Sequence, residues 1–156
     1  MNRRRCDVMD AGYPILLNLT DRHVLVVGGG KIAARKINGL LTAGAIVTVI
    51  APKLVDQIDT TKITWYQRNY EAADLRGETI IFAATDDENL NHQIWRSAGQ
   101  TQWVNDVSNH RTSDFFNVAQ VRTKKVLIGI STFGQSPSKA KRLKKQLQDW
   151  IGKEAE

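Results

Sequence analysis

Cysteine is nearly absent from this chain: Cys6 is the only one. A single cysteine excludes an internal disulfide framework and a cysteine metal site, and it suits a reducing compartment. Long apolar runs are missing as well, since none approaches the roughly 18 residues of a membrane helix. The opening MNRRRCDVMD is basic but leads into no apolar core, so a secretory signal is not expected. We read residues 1–12 as a disordered leader or an upstream start, with Met9 an equal candidate for the first residue, and expect a cytoplasmic protein. His23, His92 and His110 show no metal-ligand spacing, so no bound metal is expected. Repeats and low-complexity stretches are also lacking.

Acidic residues are outnumbered, 16 against 22 basic ones, which leaves a net charge of +6. The excess is densest at Lys139, Lys141, Arg142, Lys144 and Lys145, with Lys124 and Lys125 before them. A solvated helix face explains any one of these lysines. Nucleic acid is a second explanation, but no aromatics are interleaved and no helix-turn-helix or zinc-finger pattern occurs, so no nucleic-acid partner is expected. A polyanionic small molecule is the third. With 156 residues, 42% of them hydrophobic and 24% charged, the chain suits one main globular domain with a sizeable core.

Strand and helix patterns alternate, which predicts an α/β fold with a Rossmann-type parallel sheet. Apolar runs at His23–Val27, Ile46–Ile50, Ile63–Gln67, Thr79–Ala84 and Gln102–Asn105 read as the five strands. A helix is expected from Lys31 to Ala43, closed by Gly44, with a short acidic turn around Glu71 to Leu75. Thr85 and Glu88 fit a capping box that opens a helix running to about Ala98. Past the polar 106–114 stretch, Phe115–Val121 and Val126–Ile130 predict an antiparallel hairpin. Ser136-Pro137 then caps a last helix, whose Ala140, Leu143, Leu147 and Trp150 share one face. That stripe, with little chain left to cover it, points to a homodimer contact. The expected organisation is therefore a dinucleotide-binding domain over 13–117 and a dimerisation segment, hairpin plus basic helix, over 118–156.

The most specific local feature is HVLVVGGGKIA at 23–33, an apolar strand, a glycine turn and a helix start. In this context Gly28 permits the turn, Gly30 lets backbone approach a diphosphate, and Ala33 lets helix and strand pack closely; Gly29 lies between them. An acid roughly 20 positions on holds the ribose in many NAD sites. Here the second strand ends in Ala51-Pro52-Lys53, with no acid, so NAD and NADP stay open on pattern alone. Thr85 and Asp86, after the fourth strand, border the expected cofactor site, because open α/β sheets bind ligands beyond their strand ends.

Further motifs follow in order: YPILLNL at 13–19, VLVVGGGKIAARK at 24–36, GAIVTVIAP at 44–52, IIFAATDDENLN at 80–91, VND at 104–106 and ISTFGQSP at 130–137. Together they resemble the precorrin-2 dehydrogenase family, which includes the N-terminal half of siroheme synthase. The resemblance spans residues 13 to about 150. It implies NAD-dependent oxidation of precorrin-2 to sirohydrochlorin in siroheme or cobalamin biosynthesis, iron insertion in some members, and a substrate bearing eight carboxylates. Basic residues then have a natural partner, since lysine and arginine attract and pair with carboxylates.

By the same resemblance, cofactor contacts fall on Lys31, Ile32, Pro52 and Lys53 beside the glycine turn. Backbone groups at Ser131, Thr132, Gly134 and Ser136, ahead of a helix, are expected to hold an acid group of the substrate, with Asn105 facing the macrocycle. The family's usual aspartate, three residues after the asparagine of a VNxxD-type motif, is Ser108 here, with Asp106 two positions before it and Asp114 six after. The proline that usually follows the nearby aromatics is also replaced, by a valine. Serine needs a partner to act as a base, so Asp106, Ser108 and His110 are the catalytic candidates. Loss of the aspartate weighs more against metal insertion than against dehydrogenation. The rival expectation is a catalytically inactive dinucleotide- or tetrapyrrole-binding module of the same fold.

Overall fold

A computed structural model describes residues 12–133 and 135–154. They fall into two compact units, one of Pro14–Phe115 and one from Phe116 onward. The leader expected at 1–12 therefore lies, except for Gly12, outside the described residues.

The first unit is built on a parallel sheet ordered β3-β2-β1-β4-β5. Its strands are β1 His23–Val27, β2 Ile46–Ile50, β3 Thr64–Tyr66, β4 Ile80–Ala83 and β5 Trp103–Asp106. The central strands are almost wholly apolar because helices cover both faces. Alternate side chains feed opposite layers. Helix α1, Lys31–Thr42, buries Ala33, Ala34, Ile37 and Leu40 in the layer of Val24, Val26, Val47, Val49 and Phe82. Helix α2, Glu88–Ser97, places Ile94 and Trp95 with Leu25, Val27, Ile81 and Val104 on the other face. Each such large aliphatic contributes about 1.5–3 kcal/mol of burial.

The order has a consequence for ligands. The chain runs outward from β1 to β3, then returns to place β4 on the other side of β1. Such a reversal opens a crevice at the carboxyl ends of β1 and β4. Helix α1 stops where expected for a physical reason: Gly44, at φ +79°, donates its N–H to the Leu41 carbonyl while Ala45 donates to Leu40. That is a Schellman motif, which satisfies carbonyls the last turn leaves orphaned.

Three local expectations change. The cap of α2 is Asp87, whose carboxylate accepts from the Asn89 and Leu90 amides at 2.9 and 3.2 Å, not Thr85. The Thr85 hydroxyl is engaged by Asn91 and by the Asp87 backbone, whose N–H it accepts at 3.2 Å, and a carboxylate two residues closer to the helix takes its free amides. β5 extends one residue further, to Asp106, in register with Ala83. The strand expected from Phe115 begins only at Ala119, because residues 113–115 are held along the outer edge of β5. There Asp114 N–H donates to the Val104 carbonyl at 2.8 Å, the Asp114 carboxylate takes the Val104 N–H at 2.8 Å, and Phe115 meets Phe82 edge-on at 5.3 Å. Side-chain bonding of this kind protects an otherwise open sheet edge.

The second unit contains the hairpin β6 Ala119–Arg122 with β7 Leu127–Ile130, antiparallel, and helix α3 Pro137–Glu154, which packs on both strands. The Ser136 hydroxyl accepts the Lys139 N–H at 3.3 Å as a cap. Ala140, Leu143 and Leu147 are half-buried within the unit, while Trp150 is 57% exposed. Among the described residues no helix is long and apolar enough to cross a membrane.

Candidate functional site

The turn after β1 is shaped by what surrounds each glycine. Gly28 has φ +118°, and a Cβ there would run into the Ala84 carbonyl oxygen and lie 2.9 Å from the Thr85 nitrogen. Its own N–H donates to the Ile50 carbonyl at 2.9 Å. The end of β1 is thus pressed against the end of β4 at the switch point. At Gly29 a Cβ would run into the Lys53 carbonyl oxygen, and the Gly29 carbonyl accepts the Val55 N–H at 2.9 Å. This pins the Pro52–Lys53 loop, both of whose named residues are exposed, beside the turn.

Gly30 differs: a Cβ there would meet nothing within 4 Å. It is the N-cap of α1 with no side-chain cap, and no acid occupies the first helical turn. Lys31 and Ile32 are exposed, whereas Ala33 is fully buried against the sheet. Open space over a glycine at an uncapped helix start, with the helix dipole behind it, fits a diphosphate. No carboxylate stands at Ala51-Pro52-Lys53 to hold a ribose; the Ala51 carbonyl is taken by the Trp65 indole at 2.9 Å.

At the end of β4, half-buried Thr85 and exposed Asp86 border the same crevice. The Thr85 N–H and hydroxyl both donate to Asn91 Oδ1, at 3.0 and 2.8 Å, and Asn91 Nδ2 donates back to the Thr85 carbonyl at 3.0 Å. At the end of β5, Asn105 is buried and donates to the Phe115 carbonyl at 2.7 Å. Asp106, 3% exposed, organises the loop that follows. One of its oxygens accepts from both the Ser108 N–H, at 2.9 Å, and the Ser108 hydroxyl; the other accepts the Thr112 hydroxyl at 2.6 Å.

Ser108 itself is exposed and also accepts from Asn91 Nδ2 at 3.3 Å. Its hydroxyl is therefore a solvent-facing group backed by a buried carboxylate. His110 is exposed at the start of the turn His110–Thr112, and among the described residues no hydrogen bond joins it to Asp106 or Ser108. Asp114, the other nearby acid, is committed to the edge of β5 and to the Trp95 indole, at 3.3 Å. His92 stacks on Trp95 with centroids 5.6 Å apart.

Three participants escape sequence reasoning. Asn91 and Lys36 both sit inside quoted motifs but gain meaning only from their partners, and Thr112 has no local signal at all. Lys36 lies with its ammonium 5.5 Å from the Phe82 ring centre, and burial, reinforced by the charge of Arg35, holds its pKa down from 10.5 to about 8.

In the second unit, the loop before α3 uses much of its own polarity. Ser131 Oγ accepts the Phe133 N–H at 3.0 Å, and Phe133 takes φ +50°. The Thr132 hydroxyl donates to the Ser136 carbonyl at 3.0 Å and accepts the Ser136 N–H at 3.3 Å. The Ser136 amide is thus engaged within the loop. Gly134 lies outside the described residues.

Residues 15–119 match a family model described as NAD(P)-binding. Siroheme synthases are similar over most of this chain. That of Psychrobacter cryohalolentis is 38% identical over 144 residues, 89% of this chain and 28% of its own length. That of Photorhabdus laumondii subsp. laumondii is 36% identical over 140 residues, 86% and 30% respectively. That of Nitrosococcus oceani is 38% identical over 143 residues, 88% and 31%. The chain thus spans under a third of the length of these curated relatives. Among solved structures, SirC, a precorrin-2 dehydrogenase, superposes with a TM-score of 0.80 and 33% identity, over 88% of this chain and 70% of that one. The open glycine turn at the switch point and these matches agree: the chain belongs to the NAD(P)-binding family that includes the precorrin-2 dehydrogenase SirC.

Proposed function

We propose that this protein is an NAD⁺-dependent precorrin-2 dehydrogenase, a cytoplasmic homodimer that makes sirohydrochlorin for siroheme or cobalamin. The observation that carries the reading is the exposed Ser108 hydroxyl, hydrogen-bonded to buried Asp106, on the loop that follows β5 in a sheet whose β1 ends in an open diphosphate turn. Gly28, Gly29, Gly30, Lys31 and Ile32 cradle the diphosphate, while Ala33, fully buried, lets α1 pack close to the sheet beneath it. Pro52 and Lys53 flank the adenosine, and Thr85 and Asp86 border the nicotinamide. When bound, NAD⁺ accepts a hydride.

Oxidation also releases one proton, which the protein must take. Ser108 Oγ receives it as its own proton passes to Asp106, so the pair acts as a two-residue general base, an effect worth about 10²–10⁴ in rate. His110, exposed in the same loop, is the other titratable group at hand. Asn105 supports the end of β5 from within, through the Phe115 carbonyl, and the excess basic charge aids capture of a substrate rich in carboxylates. Asp106 already receives three hydrogen bonds and Asp114 is committed to Val104 and Trp95, so neither carboxylate is placed to help a metal enter.

Support for the homodimer comes from segment 118–156. Val126 and Trp150 stay 51% and 57% exposed, apolar surface that a second copy would cover. Light scattering on the purified chain measures the oligomeric state. Turnover is tested by supplying precorrin-2 with NAD⁺, then with NADP⁺, while following NADH and the sirohydrochlorin spectrum. Turnover is expected with NAD⁺. Tight NAD⁺ binding without turnover would leave the rival, a dinucleotide-binding module without chemistry.

A further inference from the structure

We propose that Asn91 is a positioning residue that aligns the cofactor edge of the site with its proton-accepting hydroxyl; the role rests on the dehydrogenase reading above. Asn91 is 0% exposed. A carboxamide offers two acceptor lone pairs and two N–H donors, and here all are used. Both acceptor bonds and one donor bond go to Thr85, which follows β4 and presses on Gly28. The fourth bond goes to Ser108 Oγ, after β5 and 17 residues away.

An amide needed only to close the turn after β4 has no reason to reach Ser108. The fourth bond also sets a direction. With Nδ2–H donating to Ser108 Oγ, the serine proton cannot point back at Asn91 and turns to Asp106. One serine lone pair remains for a proton leaving the substrate. Asn91 thereby fixes both the place and the polarity of that hydroxyl relative to Thr85. Alignment of reacting groups is worth large factors in rate, and small displacements forfeit them.

A double-mutant cycle tests the role. Asn91→Asp keeps the acceptor for the Thr85 N–H and hydroxyl and removes both Nδ2 donor bonds, the one to Ser108 Oγ and the one to the Thr85 carbonyl. At saturating NAD⁺ and precorrin-2, kcat should fall about 100-fold in Ser108→Ala and about 10-fold in Asn91→Asp, with KM for NAD⁺ held within about threefold. The combined variant should match Ser108→Ala within about twofold. A combined loss equal to the product of the single losses would overturn the proposal. Asn91→Ala serves in the same cycle if the aspartate variant does not fold.

Hydrogen exchange on the ligand-free protein supplies a readout independent of turnover. In Asn91→Ala the Thr85 amide, which loses its acceptor, should exchange at least about tenfold faster than in the wild type, and so should the Ser108 amide, whose bond to Asp106 loses the brace on the Ser108 hydroxyl. Acceleration at Thr85 alone refutes the bridge. A wild-type protein that fails to oxidise precorrin-2 removes the dehydrogenase reading instead, and leaves the exchange result to decide the bridge.

Discussion

Ser108 donates its hydroxyl proton to the buried carboxylate of Asp106, and Thr112 locks the second oxygen of that carboxylate at 2.6 Å. A serine standing where the family has an acid is thus paired with an acid two residues earlier. Asp106→Asn should lower kcat about 10²–10⁴-fold, the usual range for a lost general base. It should also cost about 1–3 kcal/mol of stability, because one of the two acceptor oxygens becomes an NH2 that faces the groups donating to it. NAD⁺ affinity, read by titration, should be unchanged within about threefold, and His110→Ala should cost less rate than Ser108→Ala.

Two glycines of one turn should respond oppositely. Gly28→Ala drives a Cβ into the Ala84 carbonyl at a φ of +118°, so the protein should lose more than about 2 kcal/mol in denaturant unfolding. Gly30→Ala meets nothing within 4 Å, and its stability should change by less than about 1 kcal/mol. Its methyl instead occupies the diphosphate space, so NAD⁺ should bind about 10–100-fold more weakly, equal to roughly 1.4–2.8 kcal/mol.

Lys36 carries a pH signature. Its pKa is lowered on folding, from 10.5 to about 8, so folding is penalised wherever the ammonium must stay charged. Below about 8 the whole penalty is present. Between 8 and 10.5 the unfolded chain still binds the proton that the folded chain has released, so stability rises with pH. Lys36→Met should therefore be more stable than wild type by about 1–3 kcal/mol at pH 7. The difference should vanish as pH climbs through that window in parallel urea titrations.

Asp87, rather than Thr85, caps α2 through two amides. Asp87→Ala should cost about 0.5–2 kcal/mol, with amide exchange accelerated at Asn89 and Leu90. Thr85→Val should instead disturb Asn91 and the edge of the cofactor crevice, and raise the Kd for NAD⁺.

Local patterns made much of the first unit legible. Val24–Val27, Val47, Val49, Ile50 and Ile81–Ala83 are apolar because both faces of a parallel sheet are covered, and Gly44 ends α1 through backbone geometry alone. The stretch Phe115 to Val118 has strand-like residues but lies outside β6. Its fate was set by a non-local partner: Asp114 and Phe115 are drawn to β5 and Phe82, which no pattern within the segment reveals. The shift of the α2 cap from Thr85 to Asp87 has the same origin, since Asn91 competes for the Thr85 hydroxyl.

Sequence by itself determined the parallel α/β architecture and the dinucleotide turn at Gly28–Gly30, because strand period, helix period and glycine placement are properties of neighbouring residues. Tertiary structure alone decided which polar groups meet. Asp106, Thr112, Ser108 and Asn91 come together only because β4 and β5 pair in register and α2 returns across them, so that Ala83 lies beside Asp106. Hydrogen bonds act over about 3 Å, and that distance between residues far apart in the chain is set by packing.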